Sequence, residues 1–423
     1  MSFRKTFSGL FPPDRLTSEQ NRTFILVGVA ILFAGYDLSI FSFVIPQVMA
    51  SFSIPAHLAG PTVSIFRLAA IPAMVLCASA DLVGRRRLLL FTILGQAAGT
   101  FLTAFTDSYT QFVAAQVITR IFGYTEEMLC FVVVAEIMAQ NSRGWATGTL
   151  TSFYWLGAGF ASMAFGQIDH LPYGWRAIYV IGTIPMLLVA YLRRNLTETQ
   201  RFLEQSQHIG KGAVVKTKEA LILLGRLTRE YPRRIMAIMI AVIGFGFAVT
   251  PAMLLANTYL QTTLHYSPGE VTRLVIPGGL IALLFNILIG RRSDRFGRKP
   301  MALLTASISI VGFAIFYNCD GGWLVPAGWV MGFFGFFAAD ALLASFAMEI
   351  VPTDYRAMVG GLRYLLEIGA GAISLLLEGA LYDSFGGHGP AITICLISVP
   401  LTLIALLFLP EPSGKSLEEL TTQ

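Results

Sequence analysis

The sequence predicts an all-α integral membrane protein with twelve transmembrane helices. Of its 423 residues, 55% are hydrophobic and only 13% are charged, whereas soluble domains average about 25% charged residues. The mean hydropathy is +0.67. A helix needs about 20 apolar residues to cross a bilayer, and runs of this length recur along the whole chain. The net charge of +5 need not indicate a nucleic-acid partner, because cytoplasmic loops of membrane proteins collect Lys and Arg, and we expect none.

Twelve apolar segments are long enough to be spans. They cover residues 24–50, 58–80, 88–106, 111–139, 145–168, 174–192, 233–260, 271–290, 300–318, 323–348, 358–381 and 389–409. One long polar connection divides them six and six. The predicted organisation is an N-terminal segment 1–23, a six-helix bundle 24–192, a central loop 193–232, a second six-helix bundle 233–410 and a tail 411–423.

Positive charge is concentrated on one side of these spans. The N-terminal segment and the connections after spans 2, 6 and 8 carry most of the Arg and Lys residues, as in "GRRR" and "GRRSDRFGRK". The opposite connections carry mainly Asp and His. Because positively charged loops remain in the cytoplasm, we expect both termini and the central loop there. The short loops favour a bacterial inner membrane as the location.

The two bundles are predicted to be pseudo-symmetric copies of one six-helix unit, because short motifs recur at a single offset. The connection after span 2 reads "ADLVGRRR" and the one after span 8 reads "SDRFGRKP", which places Asp81 and Asp294 213 residues apart. Glu136 and Glu349, at the ends of spans 4 and 10, have the same separation. Two facing copies of this kind imply a central cavity.

These motifs resemble those of major facilitator superfamily transporters. The pattern G-x-x-x-D-R-x-G-R-[RK] is nearly complete over 290–299, whereas the first copy has Cys77 and Leu82 in place of its Gly and Arg. P-E-[TS]-like segments around Glu198 and Glu411 are similar to those of the sugar-porter and organic-acid branches. The resemblance implies transport by alternating access and a cavity lined by spans 1, 4, 7 and 10.

Two further motifs bear on the substrate class. The "AGYDL" of span 1 is similar to the D-G-x-D pattern of aromatic-acid:proton symporters, with Ala34 in place of its first Asp. Span 5 reads "LTSFYWLGAG" and span 7 reads "PAMLLANTYLQTT", without the glutamine motifs typical of sugar porters. Asn257 and Gln261 lie on one face of span 7 and are its amides available to bind hydroxyl groups. An organic acid is therefore preferred over a sugar.

One set of charged residues lies at the predicted cytoplasmic ends of the spans. It comprises Asp81, Arg85, Glu136, Arg143, Asp294, Arg298, Glu349 and Arg356. Opposite charges at such positions form ion pairs between helices, and a partly buried network stabilises one conformation more than exposed pairs do. We interpret the set as a cytoplasmic gate network. The alternative is that these charges only set the topology.

A second set lies within the spans, where an ionisable residue is by default a candidate for function. Asp37 is near the middle of span 1. Desolvation favours the neutral form of a carboxyl group, so Asp37 is the first candidate for proton coupling and Glu127 the second. The alternative for Asp37 is a permanent pair with Arg67 that braces spans 1 and 2. Glu126, about 100° around the helix from Glu127, is expected to make a polar contact between helices.

Two arginines within the spans bear on the charge of the substrate. Arginine cannot be neutralised by deprotonation, and its planar fork suits carboxylates. Arg67 and Arg120 are therefore candidates for holding an anionic substrate. Internal salt bridges, such as Arg120 with Glu127, are the alternative. The other candidate substrate-binding residues are Tyr36, Tyr154, Asn257, Gln261 and Asp340.

The predicted function is proton-coupled secondary transport of a small organic anion, with aromatic carboxylates among the candidates. The alternatives are a proton-driven exporter of amphiphilic or cationic compounds and a sugar or polyol:proton symporter. The short tail and central loop argue against a receptor. Expected partners are a small-molecule substrate, the proton and the lipid bilayer, for a monomer. The sequence has no catalytic motif and no metal-ligand spacing, and its cysteines stand singly, so we expect no enzyme activity, cofactor or metal.

Overall fold

The computed structural model describes residues 12, 16–194, 225–226, 228–351 and 355–411. Most of the predicted central loop, including Glu198, and most of the predicted terminal segments lie outside these residues. In chain order the helices are α1 (Ser18–Ser51), α2 (Ala59–Leu68), α3 (Ala70–Ala78), α4 (Ala80–Val83), α5 (Arg85–Thr103), α6 (Tyr109–Ile137), α7 (Gln140–Phe165), α8 (Trp175–Arg193), α9 (Pro232–Leu254), α10 (Ala256–Thr262), α11 (Pro268–Phe296), α12 (Arg298–Asn318), α13 (Leu324–Glu349), α14 (Arg356–Phe385), α15 (His388–Leu396) and α16 (Val399–Leu407).

These helices confirm the twelve-span, all-helical architecture. In the described part of the chain, nine helical segments are long and apolar enough to cross a membrane by composition alone. The other three spans are α5, α6 and α7, in which charged and hydroxyl side chains lower the hydropathy. Three spans are interrupted: span 2 comprises α2, α3 and α4, span 7 comprises α9 and α10, and span 12 comprises α15 and α16.

The described helices fall into two compact units. The first contains α1 and α3 to α8, and the second contains α2 and α9 to α16. The first part of span 2 thus packs within the second unit, against α14. Ser64 donates a hydrogen bond to the Ala372 carbonyl at 2.9 Å. The absence of a side chain at Gly60 and Gly379 permits this approach, because a Cβ at either would lie 2.5 Å from a backbone carbonyl.

Helix α1 is fixed in the first unit by its start and by its packing. It begins at a capping box, in which Thr17 and Gln20 each bond the other's backbone N–H, so two amide groups at the helix start are satisfied. Further along, a Cβ at Gly35 would lie 2.1 Å from a carbonyl of α7, and one at Gly157 would lie 1.8 Å from the Leu32 carbonyl. The two helices therefore approach backbone to backbone, just before Asp37.

Candidate functional site

Predicted gate residues form the same ion pair in both units. In the first unit, Arg85 Nη2 lies 3.0 Å from Glu136 Oε1 and 2.8 Å from Asp81 Oδ1. In the second, Arg298 Nη2 lies 3.2 Å from Glu349 Oε1. Each arginine pairs with a glutamate 51 residues further along the chain. The internal repeat found in the sequence thus extends to the side-chain contacts.

Arg85 and Arg298 are each the first residue of a helix, directly after a glycine with a positive φ angle. Gly84 and Gly297, which precede α5 and α12, have φ angles of 101° and 96°, a region that favours glycine because it has no Cβ. In the second unit Glu411 adds a cap. Its carboxylate accepts hydrogen bonds from the backbone N–H groups of Arg298 at 2.7 Å and Lys299 at 2.9 Å, where the helix dipole favours negative charge.

The remaining predicted gate residues make different contacts. Arg143 is exposed and donates from Nε to the Met138 carbonyl at 3.2 Å. Arg356 has a buried Nε that forms no hydrogen bond within the described part of the chain. The side chain of Asp294 lies outside the description. A gating role for all eight residues stays a prediction.

Asp37 is enclosed by polar groups of its own unit. Its side chain is only 3% exposed and accepts hydrogen bonds from Gln96 Nε2 at 2.9 Å and Thr100 Oγ1 at 2.7 Å, both on α5. Arg120 on α6 is an electrostatic neighbour of the carboxylate and donates to the Leu38 carbonyl at 3.4 Å. The carboxylate therefore has two fixed donors and a nearby cation.

Glu127 has none of these partners. It lies two turns beyond Arg120 on the same face of α6, and its side chain is half-buried. Within the described residues it forms no hydrogen bond and no ion pair, so the salt bridge with Arg120 that was an alternative is not formed. Glu127 is a carboxyl group in a membrane span with no partner from the described chain.

The adjacent Glu126 makes the polar contact between helices that its position on α6 predicted, and it has several partners. Arg193 at the end of α8 donates to its carboxylate, and the two side chains are 0% and 1% exposed. Thr92 also donates to Glu126, and Cys130 lies within hydrogen-bond reach of both charged groups. Arg193 was missed because it belongs to an Arg-Arg pair at the end of span 6, which is typical of a cytoplasmic loop.

The second unit contains a charged cluster around Arg363. Arg363 Nη1 lies 2.7 Å from Asp340 Oδ1 on α13 and 3.1 Å from Glu367 Oε2, one turn along α14. Arg67 on α2 is an electrostatic neighbour of Glu367. The Arg67 side chain is half-buried, and its buried Nε lacks a hydrogen-bond partner in the described chain. We call these four residues the Arg363 cluster. The sequence signal for Arg363 was an arginine inside span 11 with a glutamate four residues later.

The other predicted substrate residues vary in how far their polar groups are already used. The Tyr36 hydroxyl donates to a carbonyl of α8 at 3.0 Å, and Gln261 Nε2 donates to the Asn257 carbonyl at 3.1 Å. Tyr154 is half-buried on α7. Asn257 lies just after the break in span 7, and its buried Oδ1 has no partner among the described residues. Of these four, Asn257 offers an open acceptor.

Among the described residues, no group of three or more His, Cys, Asp or Glu side chains is placed to hold a metal ion. The architecture and the charges within the spans are those of a membrane transporter built from a duplicated six-helix unit. The chain belongs to the Major Facilitator Superfamily, whose family model matches residues 27–367 and 236–422.

Individual relatives agree with this class. The chain is 25% identical over 421 residues to the "Probable 4-methylmuconolactone transporter" of Cupriavidus pinatubonensis, with 95% of this chain and 93% of the relative covered. It is 24% identical over 421 residues to the "Gallate transporter" of Pseudomonas putida, with coverage of 91% and 90%. The crystal structure of a D-xylose-proton symporter matches with a TM-score of 0.76 at 19% identity, covering 94% of this chain and 100% of that one. The structural likeness concerns the fold alone.

Proposed function

We propose that this protein is a proton-coupled transporter that carries a small organic carboxylate across the membrane by alternating access. The observation that carries the proposal is that two charged side chains within the spans, Glu127 and Arg67, have neither a hydrogen bond nor an ion pair from any described residue. One is an acid able to take up a proton, and the other is a cation able to bind an anion. Transport of a carboxylate with a proton gives each of them a partner.

The case for an anionic substrate rests on Arg67. A guanidinium group stays charged in a protein, and a charge within a membrane span is unfavourable by several kcal/mol unless it is paired or hydrated. A substrate carboxylate suits the planar fork of arginine, because both oxygens can accept parallel hydrogen bonds. Arg120 is the weaker candidate for this contact, because its guanidinium already donates hydrogen bonds to the Leu38 carbonyl, whereas Arg67 forms none with the described residues.

The case for proton coupling rests on the contrast between Glu127 and Asp37. Protonation of Asp37 would disturb its hydrogen bonds from Gln96 and Thr100 and its interaction with Arg120. Glu127 can gain or lose a proton without breaking any described contact. These contacts support Glu127 as the carrier of the transported proton and Asp37 as the residue that positions Arg120, the reverse of the order that the sequence favoured.

The named relatives support the same substrate class. Gallate and 4-methylmuconolactone are small ring compounds that each carry one carboxyl group, and the relatives cover nearly the whole of this chain. An aromatic or lactone ring with one carboxylate is therefore the substrate class that we propose. The proposed setting is a monomer in a bacterial inner membrane with both termini in the cytoplasm.

Uptake into liposomes tests this proposal. The purified protein is reconstituted, a pH gradient with an alkaline interior is imposed, and accumulation of gallate, 4-methylmuconolactone and benzoate is measured. Pyrogallol, which is gallate without its carboxyl group, is the matched control compound. We expect accumulation of at least one of the acids but not of pyrogallol, and its loss when a proton ionophore is added.

Two variants separate the candidate proton carriers. Glu127→Gln is expected to abolish accumulation against a gradient while leaving substrate exchange, and Asp37→Asn is expected to retain accumulation at a reduced rate. The opposite result would return the role to Asp37. If none of the acids is transported and cationic dyes are expelled instead, the proposal is wrong and the exporter alternative replaces it.

A further inference from the structure

We infer that Glu367 is a second proton-binding residue, and that it takes up its proton when a carboxylate binds to Arg67. The inference rests on the proposed function and extends it to the second unit. It follows from the charge balance of the Arg363 cluster and from the surroundings of Glu367.

The cluster places two acids on a single guanidinium nitrogen. Asp340 and Glu367 both contact Nη1 of Arg363, at 2.7 Å and 3.1 Å, so Arg363 alone does not balance both carboxylates. Arg67 supplies the second positive charge and interacts electrostatically with Glu367. With all four groups ionised the cluster is neutral, which is the arrangement that a low-dielectric environment favours.

The described helices packed around Glu367 bring no other charge to it. Helix α9 approaches through Gly246, where a Cβ would lie 3.0 Å from Glu367 Cγ, and the arginines of α9 lie in its first turn. Tyr364, on the same helix as Glu367, interacts with Arg363. Further along α14, two separate pairs are formed by His388 with Glu378 and by His57 with Asp383. At the other end, Glu349 closes α13 and pairs with Arg298, and Arg356 begins α14.

A substrate carboxylate on Arg67 changes this balance. The negative charge of the substrate competes with Glu367 for the Arg67 guanidinium, so the cluster acquires a net negative charge. Proton uptake by Glu367 restores neutrality. Glu367 responds rather than Asp340 because it interacts with both arginines and has the longer contact with Arg363. Proton binding and carboxylate binding therefore strengthen each other in equal measure.

This linkage adds a proton to the one assigned to Glu127. A substrate with one carboxylate would then cross the membrane with a proton from each unit and with a net positive charge. Uptake is expected to respond to the membrane potential as well as to the pH gradient. A carrier that used Glu127 alone would move such a substrate without net charge.

The test compares the wild-type protein with Glu367→Gln in liposomes, using gallate as the probe, followed by 4-methylmuconolactone and benzoate if gallate does not bind. Equilibrium binding is measured from about pH 5.5 to about pH 8, and the proton-to-substrate flux ratio is measured from reversal potentials. Each linked proton weakens wild-type binding by about tenfold per pH unit above its titration range. In Glu367→Gln we expect this slope to fall by one proton and the flux ratio to fall by one. Asp383→Asn, an exposed acid on the same helix, is the matched control and should behave as wild type.

The outcomes distinguish the inference from the function on which it rests. Unchanged slope and flux ratio in Glu367→Gln would overturn the inference and leave carboxylate transport intact. If the wild-type protein binds none of the three acids, both the inference about Glu367 and the proposed carboxylate transport are wrong. If the variant does not fold, the wild-type flux ratio decides by itself, because a single proton for each carboxylate contradicts a second binding residue. Wild-type uptake that is not accelerated by an inside-negative potential would also contradict a second proton-binding residue.

Discussion

Replacing Glu126 with leucine tests how completely the first unit encloses its buried ion pair. The change removes the carboxylate that binds Arg193, and that guanidinium is 0% exposed. Among the described residues, the hydrogen bond that Arg193 would keep is to Cys130 Sγ at 3.4 Å, a weak acceptor. The substitution therefore leaves a full positive charge in the protein interior without a counterion.

The expected loss of stability follows from this burial. Removing one partner of a buried pair typically lowers the free energy of unfolding by about 3–5 kcal/mol, whereas replacing both partners with apolar residues of similar size is often neutral or stabilising. We therefore expect Glu126→Leu to fall in that range and Glu126→Leu with Arg193→Met to recover most of the loss. Asp383→Asn is the control, because its pair with His57 has side chains that are 72% and 36% exposed and contributes at most about 1 kcal/mol.

Unfolding of the purified variants by SDS in mixed micelles, followed by tryptophan fluorescence, gives these free energies. Transport is not required for the measurement, so the result does not depend on the substrate. A loss below about 1 kcal/mol for Glu126→Leu would mean that water or another group reaches Arg193. A double variant no more stable than the single one would show that the pair contributes shape or hydrogen bonding rather than charge compensation.

Three further changes have definite expected outcomes. Gly157→Ala should destabilise the first unit by about 1–3 kcal/mol or more in the same assay, because the new Cβ would lie 1.8 Å from a backbone carbonyl. Gly159→Ala is the control and should be neutral, because nothing lies within 4 Å of its new Cβ. Arg298→Glu should slow transport into liposomes, and adding Glu349→Arg should restore it if the ion pair itself is required; a double variant slower than the single one would contradict this. Glu127→Gln should weaken the pH dependence of carboxylate exchange, measured by counterflow, and an unchanged pH profile would exclude Glu127.

The spans and the repeat could be predicted because they depend on properties that a sequence displays directly. A membrane helix requires an apolar run of a minimum length, and a duplicated unit keeps its motifs at one offset. The offset of 213 residues between Glu136 and Glu349 accordingly anticipated equivalent positions, and both glutamates pair with the equivalent arginine.

The partners of the buried charges could not be predicted in the same way. Which side chain meets Glu126 or Asp340 depends on the rotation and crossing of separate helices, and neither Arg193 nor Arg363 is marked by a motif. The packing of α2 within the second unit was missed for a similar reason. The sequence presents span 2 as one apolar run, and the contact of Ser64 with α14 is set by tertiary packing.

The neighbouring residues Glu126 and Glu127 allow a test that distinguishes a structural charge from the proposed proton carrier. They lie at nearly the same depth in α6, so the membrane alone would disfavour both charges to a similar degree. One is paired with Arg193 at full burial, and the other, about 100° around the helix, has no described partner. If Glu127 served only to hold the fold together, Glu127→Gln would lower stability as Glu126→Leu does. We expect instead that Glu127→Gln unfolds at the wild-type SDS concentration or above it, because it removes an uncompensated charge, and that it still loses accumulation of the carboxylate. A clear loss of stability in this variant would move Glu127 to the structural group and remove the main support for coupling through the first unit.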